Sequence, residues 1–543
     1  MRAAPLVRIQ LVVVLMVSFL LQSHARAWPS YTVIAQSGQQ PPGLEGLTFG
    51  GFWSPDINAS GQVVFCADLF GPGTDATNRY SIWAGTGDSL QLVARAGQNA
   101  IGVGGDAVHQ LPIWPRISSD GYVTFTDTFK SSQPSGAEAC GNCGIWSGKP
   151  GSVSLVARVG AIAPGSHLPF GNLHYPVVSR LGRTTLDSWL RDTSAARDPF
   201  GLWTGPPGLL QAVALTGSPA PGVESLFLGD YHPQFSTDDV GNVTFLWNLT
   251  GPGVTATNNL GIWMGSAAEP RLIARTGSVA PGTVDTFTDL FGPALSRSGQ
   301  VAFAASLSDS APAANGSVWL GAPGGLRLVA AANQHAPGTP TDVVFNRFDG
   351  PIPTDDGQVG FMASLAGPAV DRSNNLGVWV GLPDSLRLAA RTGDPVSGIP
   401  DSVFTNLEQL QVNSFGQVCF FGTLAGPGID ESNSSGIWAT DPAGHLVCLL
   451  RSGQQIDLGG GDVRVFKPFV SDNFFAPFND VGQIVFRASF SDGTNALLVA
   501  TVPEPAGLCW IAALIGALCR RRPAAPGKRL PPDMQPLKKE IVR

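Results

Sequence analysis

The sequence predicts an all-β fold built from eight copies of a four-stranded antiparallel sheet. Three observations predict it. A hairpin signal, N/D/S/T-x-x-G-x-V/I-x-F, recurs about every 60 residues, with its glycine at Gly61, Gly121, Gly182, Gly241, Gly299, Gly357, Gly416 and Gly482. Each of the first seven copies then carries G-I-W or a near variant, at Trp83, Trp146, Trp203, Trp263, Trp319, Trp379 and Trp438. A short run of the type L-V-A-R-x-G follows each tryptophan, and no segment between the two ends of the chain shows a sustained helical period.

In the first copy, Phe52 to Ile57 alternates and ends at Asn58-Ala59-Ser60-Gly61. The turn residue and a glycine free to take positive φ are what a tight hairpin needs. Residues 62–69, 81–84 and 90–95 read as the second, third and fourth strands, each rich in β-branched or aromatic residues and bounded by Gly or Pro. A lone sheet of this size cannot cover both its faces. Stacking neighbours around the Phe, Val and Trp positions gives a continuous core, which is the sequence signature of a propeller. The tryptophans are read as core packing.

The eighth copy has its hairpin, Asn479 to Phe486, and a third strand, Ala496 to Thr501, but no L-V-A-R run. The segment Tyr31-Thr32-Val33-Ile34-Ala35-Gln36-Ser37-Gly38 matches the missing strand and is followed by Pro42-Gly43, where other copies have A-P-G. The prediction is an eight-bladed β-propeller over 28–501, closed by its N-terminal strand, which leaves no unpaired edge at the junction.

Both ends carry addresses. Residues 1–27 read as a signal peptide: Arg2 and Arg8, an apolar stretch Ile9 to Leu21, and Ala25-Arg26-Ala27 before the cut. At the other end Val502-Pro503-Glu504-Pro505 precedes an apolar run, Ala506 to Cys519, and Arg520-Arg521-Arg522. Fourteen helical residues span roughly 21 Å, a short membrane anchor, and the arginines put that side in the cytoplasm. Residues 523–543 form a basic tail.

The order Pro-Glu-Pro, apolar helix, basic cluster over residues 502–522 resembles the PEP-CTERM sorting signal of Gram-negative bacteria, in the V-P-E-P-A-G-L form common in planctomycetes. The resemblance implies recognition by an exosortase-type membrane enzyme. It also implies removal of the tail and delivery to the cell surface, outer membrane or extracellular matrix. The tail beyond Pro523 departs from the usual pattern. The repeats themselves resemble bacterial surface proteins with tandem N-x-x-G-x-A-F-type repeats, best at Asn58/Gly61/Phe65, Asn413/Gly416/Phe420 and Asn479/Gly482/Phe486. Ser118, Ser179, Asp238, Ser296 and Thr354 replace the Asn elsewhere, and Leu186 replaces the Phe. No activity comes with that resemblance.

Composition narrows function. Charged residues are 13% and the formal charge is −7, while 67 glycines and 44 prolines supply turns. Nucleic acid is not an expected partner, because phosphate binding needs clustered Lys and Arg. Seven cysteines are few for 543 residues. Cys66, Cys419 and Cys448 fall in predicted core strands and Cys509 and Cys519 in the anchor, while Cys140-x-x-Cys143 reads as a local disulfide or two idle thiols rather than a metal site.

Candidate function sits on the long second-to-third and fourth-to-first connections, which share one face of the disc. Four of them repeat a finer pattern: Asp75 to Asn78, Thr255 to Asn258, Asp371 to Asn374 and Asp430 to Asn433. Asp75, Asn78, Asn258, Asp371, Asn374, Asp430 and Asn433 could ligate calcium or a sugar hydroxyl, and the same residue types also cap turns. No cofactor other than calcium is expected. His109, His167, His174, His232, His335 and His445 share no offset, and no H-E-x-x-H, G-x-S-x-G or phosphate loop occurs. The expected function is a non-catalytic surface protein, structural or glycan-binding. The alternative is a secreted polysaccharide hydrolase or lyase.

Overall fold

A computed structural model gives the architecture. It describes residues 29–131, 142–194, 197–230, 234–308, 316–468 and 477–503. The expected signal peptide, Glu504, Pro505, the arginine cluster, Cys140, Cys509, Cys519 and His232 lie outside the described residues. Every regular element among the described residues is a strand.

Blade one is Thr48–Ile57, Val63–Phe70, Tyr80–Gly85 and Gln91–Arg95, hydrogen-bonded in that order. Blades two, five, six and seven repeat it, beginning at Val108–Ile117, Phe287–Leu295, Val344–Pro353 and Val403–Val412. Blade three has a short first strand, Val177–Val178, and blade four a split one, Phe227–Leu228 and Gln234–Thr237. In blade eight, Gln483–Ser489 pairs with Asn495–Thr501, and the N-terminal strand Ser30–Gln36 pairs antiparallel on the far side, from Ser30 opposite Thr501 to Gln36 opposite Ala496. The fold is an eight-bladed β-propeller closed by its N-terminal strand, as the sequence predicts, and it spans Pro29–Pro503.

The motifs acquire physical causes. The motif Phe of each second strand lies opposite the Trp of the third: Phe65 and Trp83, Phe125 and Trp146, Phe361 and Trp379, Phe420 and Trp438. In blade eight Leu498 faces Phe486, which is why seven motif tryptophans serve eight hairpins. Glycine precedes Ile-Trp because the indole folds back over it. A Cβ on Gly261 would lie 2.4 Å from the Trp263 ring, and one on Gly377 would lie 2.5 Å from Trp379. Where Ser81 or Ser317 stands instead, the indole turns and its Nε1 donates to that hydroxyl, at 3.0 and 2.9 Å. In the glycine copies Nε1 of Trp203, Trp263 and Trp379 donates to the proline carbonyl of the A-P-G turn, each at 2.9 Å. Eight apolar clusters, one between each pair of neighbouring blades, close the ring; the closing cluster joins Ile34, Leu497 and Val499 to Phe49, Phe65 and Trp83.

The hairpin turns meet around the axis. Asn58 donates from Nδ2 to Ser118 O of blade two at 3.0 Å, Asn413 to Asn479 O at 3.2 Å, and Asn479 to Asn58 O at 2.9 Å. Ser, Thr or Asp can cap its own turn but has no N–H to give to the next blade. The three asparagine copies are therefore consecutive across the seam where the N-terminal strand closes the ring.

Candidate functional site

The loops singled out from sequence are built alike in blades one, four, six and seven. Asp75 Oδ1 accepts from Thr77 N and Oγ1 at 2.7 and 2.6 Å, and Asn78 Oδ1 accepts from Asp75 N at 3.0 Å. Asn78 Nδ2 donates to Gly73 O at 2.9 Å. Asp371 with Asn374, and Asp430 with Asn433, repeat these bonds, and Thr255 with Asn258 repeats the Asn part. The hydrogen bonds from the neighbouring hydroxyl and backbone N–H hold the Asp75, Asp371 and Asp430 carboxyls below their ordinary range.

This closure explains the L-V-A-R-x-G motif. The arginine Nε donates to the loop Asn carbonyl, from Arg95 to Asn78 at 2.8 Å, Arg391 to Asn374 at 2.9 Å and Arg451 to Asn433 at 2.6 Å. The glycine two residues on has positive φ and lies against the same Asn: a Cβ on Gly393 would sit 2.9 Å from Asn374 Cβ. The four loops thus sit in separate blades, each tied to its own fourth strand. Among the described residues no group of three or more His, Cys, Asp or Glu is placed to hold a metal ion.

A second constellation lies on the innermost strands, and sequence reading missed it. Each first strand of blades one, two, five, six and seven carries a bulge four residues before the turn residue, with positive φ at Ser54, Trp114, Gly292, Gly350 and Gln409. A proline follows at Pro55, Pro115, Pro293 and Pro351, and Tyr175-Pro176 holds the same offset in blade three. In most blades the bulge residue is small or polar. In blade two it is Trp114, and Tyr175 stands at the equivalent position of blade three; their ring centroids are 4.4 Å apart at 53°. They remain 39% and 58% exposed, so this pair covers no core. Beside Tyr175, His174 Nδ1 lies 2.8 Å from Asp187 Oδ2, and Asn172 Nδ2 lies 3.2 Å from His174 Nε2.

The other histidines have local roles. His109 occupies the place held by Phe49, Phe287, Phe345 and Phe404 elsewhere and meets Trp146 edge-on at 5.1 Å, as Phe49 meets Trp83 at 5.3 Å. Its Nδ1 is 2.6 Å from buried Asp127. Burial pushes that carboxyl up, and His109 opposes the shift. His335 Nδ1 is 3.1 Å from Val343 O, and His445 Nδ1 is 3.2 Å from Asp441. Cys66 and Cys419 are buried thiols raised by desolvation, and Cys143 is buried at the start of its strand.

The hairpin face is crossed by ion pairs. Arg297 of blade five pairs with Asp239 of blade four at 3.4 Å and with Asp480 of blade eight, three blades round the ring. Ser298 N donates to Asp355 at 3.1 Å, and Arg180 meets Asp120 at 3.2 Å. Groups from blades that are not neighbours can meet only near the axis, so this cluster occupies the axial opening at the hairpin face.

These features define a closed-ring repeat propeller with a polar, ion-paired hub and an aromatic patch on its inner wall. The chain belongs to a family described as a family of unknown function, DUF7453, which matches residues 57–509. No curated protein matches the sequence. Among solved structures the chain is similar to the β-propeller domain of the trilobed protease from Pyrococcus furiosus, at 8% identity over 75% of this chain and 100% of that one, with a TM-score of 0.38. It is also similar to an acylaminoacyl peptidase of Pyrococcus horikoshii, at 9% identity over 82% of this chain and 58% of that one, with a TM-score of 0.37. A third is the polysaccharide lyase Uly1, at 10% identity over 76% of this chain and 93% of that one, with a TM-score of 0.34. At these identities the likeness is one of fold alone.

Proposed function

We propose that the protein is an exported, surface-anchored, non-catalytic propeller that binds a neutral polysaccharide on the inner wall of blades two and three. The observation that carries the reading is the exposed Trp114–Tyr175 pair. Aromatic faces left in water on a rigid wall suit the apolar faces of sugar rings, and Asn172 beside them offers hydrogen bonds without a cationic patch. Export and anchoring rest on the sequence of the two ends, with Val502-Pro503-Glu504-Pro505 and Arg520-Arg521-Arg522 as the signal for an exosortase-type partner. The site is the cell surface or matrix of a Gram-negative-type bacterium.

One observation favours the second reading, a polysaccharide hydrolase or lyase: an imidazole oriented by a carboxylate, His174 with Asp187, adjoins Tyr175. A glycan-array screen of the mature region, residues 28–501, tests the binding reading, and product analysis of each hit separates the two. Binding without cleavage is expected. The absence of any hit that Trp114→Ala abolishes overturns it.

A further inference from the structure

We infer that the hairpin face is a self-recognition surface: two copies of the propeller stack on it face to face, related by a two-fold axis lying in the plane between them. The third residue of each hairpin turn is its tip. In ring order the tips are Ser60, Asp120, Leu181, Val240, Ser298, Asp356, Phe415 and Val481. The order Ser-Asp-apolar-apolar occurs twice, so blades half a turn apart carry the same kind of tip. Leu181, Val240, Phe415 and Val481 are 57–67% exposed and add little to the core of the ring. Leu209 and Leu382, on the third-to-fourth turns of blades three and six, are exposed on the same face. Apolar side chains grouped on one face of a disc call for a second surface.

The symmetry of the pattern says which surface. An in-plane two-fold reverses the ring order of one copy against the other. An axis between blades three and four, and so between seven and eight, sets Leu181 on Val240 of the second copy and Phe415 on its Val481. It sets Asp120 opposite Ser298 and Ser60 opposite Asp356. The perpendicular axis keeps the match, with Leu181 on Val481 and Val240 on Phe415. Every other in-plane axis opposes an apolar tip to Ser or Asp. Charge follows the same two axes. The hairpin turns of blades two, four, six and eight are acidic, those of three and five carry Arg180 and Arg297, and those of one and seven are neutral. On either axis both arginine turns fall opposite acidic turns, and no acidic turn falls opposite another. Such self-complementarity admits a second copy without like-charge repulsion. Within each copy the hub carboxylates are already engaged, Asp239 and Asp480 by Arg297 and Asp120 by Arg180. In the pair the two loop faces point outward. If the inner wall binds polysaccharide as proposed above, the dimer is bivalent toward one chain.

The test is sedimentation velocity of residues 29–503 over the micromolar range, a piece that holds the whole closed ring. The parent is compared with Leu181→Asp/Phe415→Asp and with a control pair, Ile162→Asp/Val284→Asp, 62% and 95% exposed on loops of the opposite face. Aspartate is what blades two and six already place at the tip, as Asp120 and Asp356, so the turn accommodates it. Thermal melting followed by tryptophan fluorescence checks the fold of each variant. Should the aspartates unfold the ring, Leu181→Ser/Phe415→Ser takes their place, serine being the tip of blades one and five. The expected result is a monomer–dimer equilibrium in the parent and the control pair, weakened at least about tenfold in the tip variant. A parent that stays monomeric throughout overturns the inference in favour of a different occupant. A dimer that the tip variant leaves intact places the contact on another face and overturns it too. Species larger than a dimer that the tip variant abolishes overturn the two-fold in favour of head-to-tail stacking.

Discussion

Replacing Ile34 by Ala tests whether the N-terminal strand is a working part of the ring. Ile34 is 3% exposed and packs in the cluster with Leu497, Val499, Leu47 and Phe49, so it touches both the last blade and the first. The substitution removes three carbons. At about 0.8 kcal/mol per buried methylene the transfer loss is roughly 2.4 kcal/mol. A cavity in a well-packed interface adds to it, giving about 3–4 kcal/mol in total. Thr32→Ala, at an exposed position of the same strand, should cost no more than about 0.5 kcal/mol. Val93 is the equivalent of Ile34 in blade one, and Val93→Ala should cost slightly less than Ile34→Ala because it removes two carbons rather than three. Equilibrium urea unfolding followed by tryptophan fluorescence gives all three values. If Ile34→Ala behaves like Thr32→Ala, the strand is an appendage and the closure argument is wrong.

Further predictions concern the motifs and the ends. Gly377→Ala should cost about 1–3 kcal/mol, because its Cβ would press on the Trp379 ring. Gly377→Ser should cost less, since the indole can turn and donate to the hydroxyl as Trp83 does to Ser81; equal costs would refute the explanation. Asp371, with a folded pKa below its unfolded value, contributes loop stability that is present above the unfolded value and lost as pH falls through the folded one. Carboxylate NMR should find Asp371 titrating below the usual range, and Ser373→Ala should move it back up; no change on that substitution counts against the capping bond. Mass spectrometry of the protein from its native host should find a start near Trp28 and loss of the segment after Pro505. Intact Arg543 in the mature surface protein would point to a plain anchor.

The number of blades, their four-strand order and the closing strand were legible because each depends on local spacing. Asn-x-x-Gly fixes a turn, Phe and Trp fix a cross-strand pair, and Tyr31 to Gly38 supplies the motif that the eighth copy lacks. The meaning of the motifs was less legible. Arg95 and Gly97 are conspicuous in sequence, but that they seat Asn78 appears only once the loop and the fourth strand are side by side. The Trp114–Tyr175 patch was missed for a tertiary reason: whether Trp114 faces the core or the axis depends on the bulge, and its neighbour Tyr175 comes from the next blade. One signal could have found it, the proline three residues before the turn residue at Pro55, Pro115, Pro176, Pro293 and Pro351. Cross-blade bonds such as Arg297 to Asp480 join residues far apart in the chain, and spacing carries no trace of them.

The most direct measurement is affinity electrophoresis of the mature region through gels containing laminarin, xylan, dextran or pullulan. The parent is compared with Trp114→Ala/Tyr175→Ala and with Asp75→Ala/Asp371→Ala/Asp430→Ala. Loss of a central aromatic anchor commonly costs about 2 kcal/mol or more, roughly a thirtyfold drop in affinity. The account predicts that at least one polysaccharide retards the parent, that the aromatic double variant loses the retardation, and that the loop triple variant keeps it. Retardation that survives in the aromatic variant and vanishes in the loop variant, or no retardation of the parent in any gel, would contradict it.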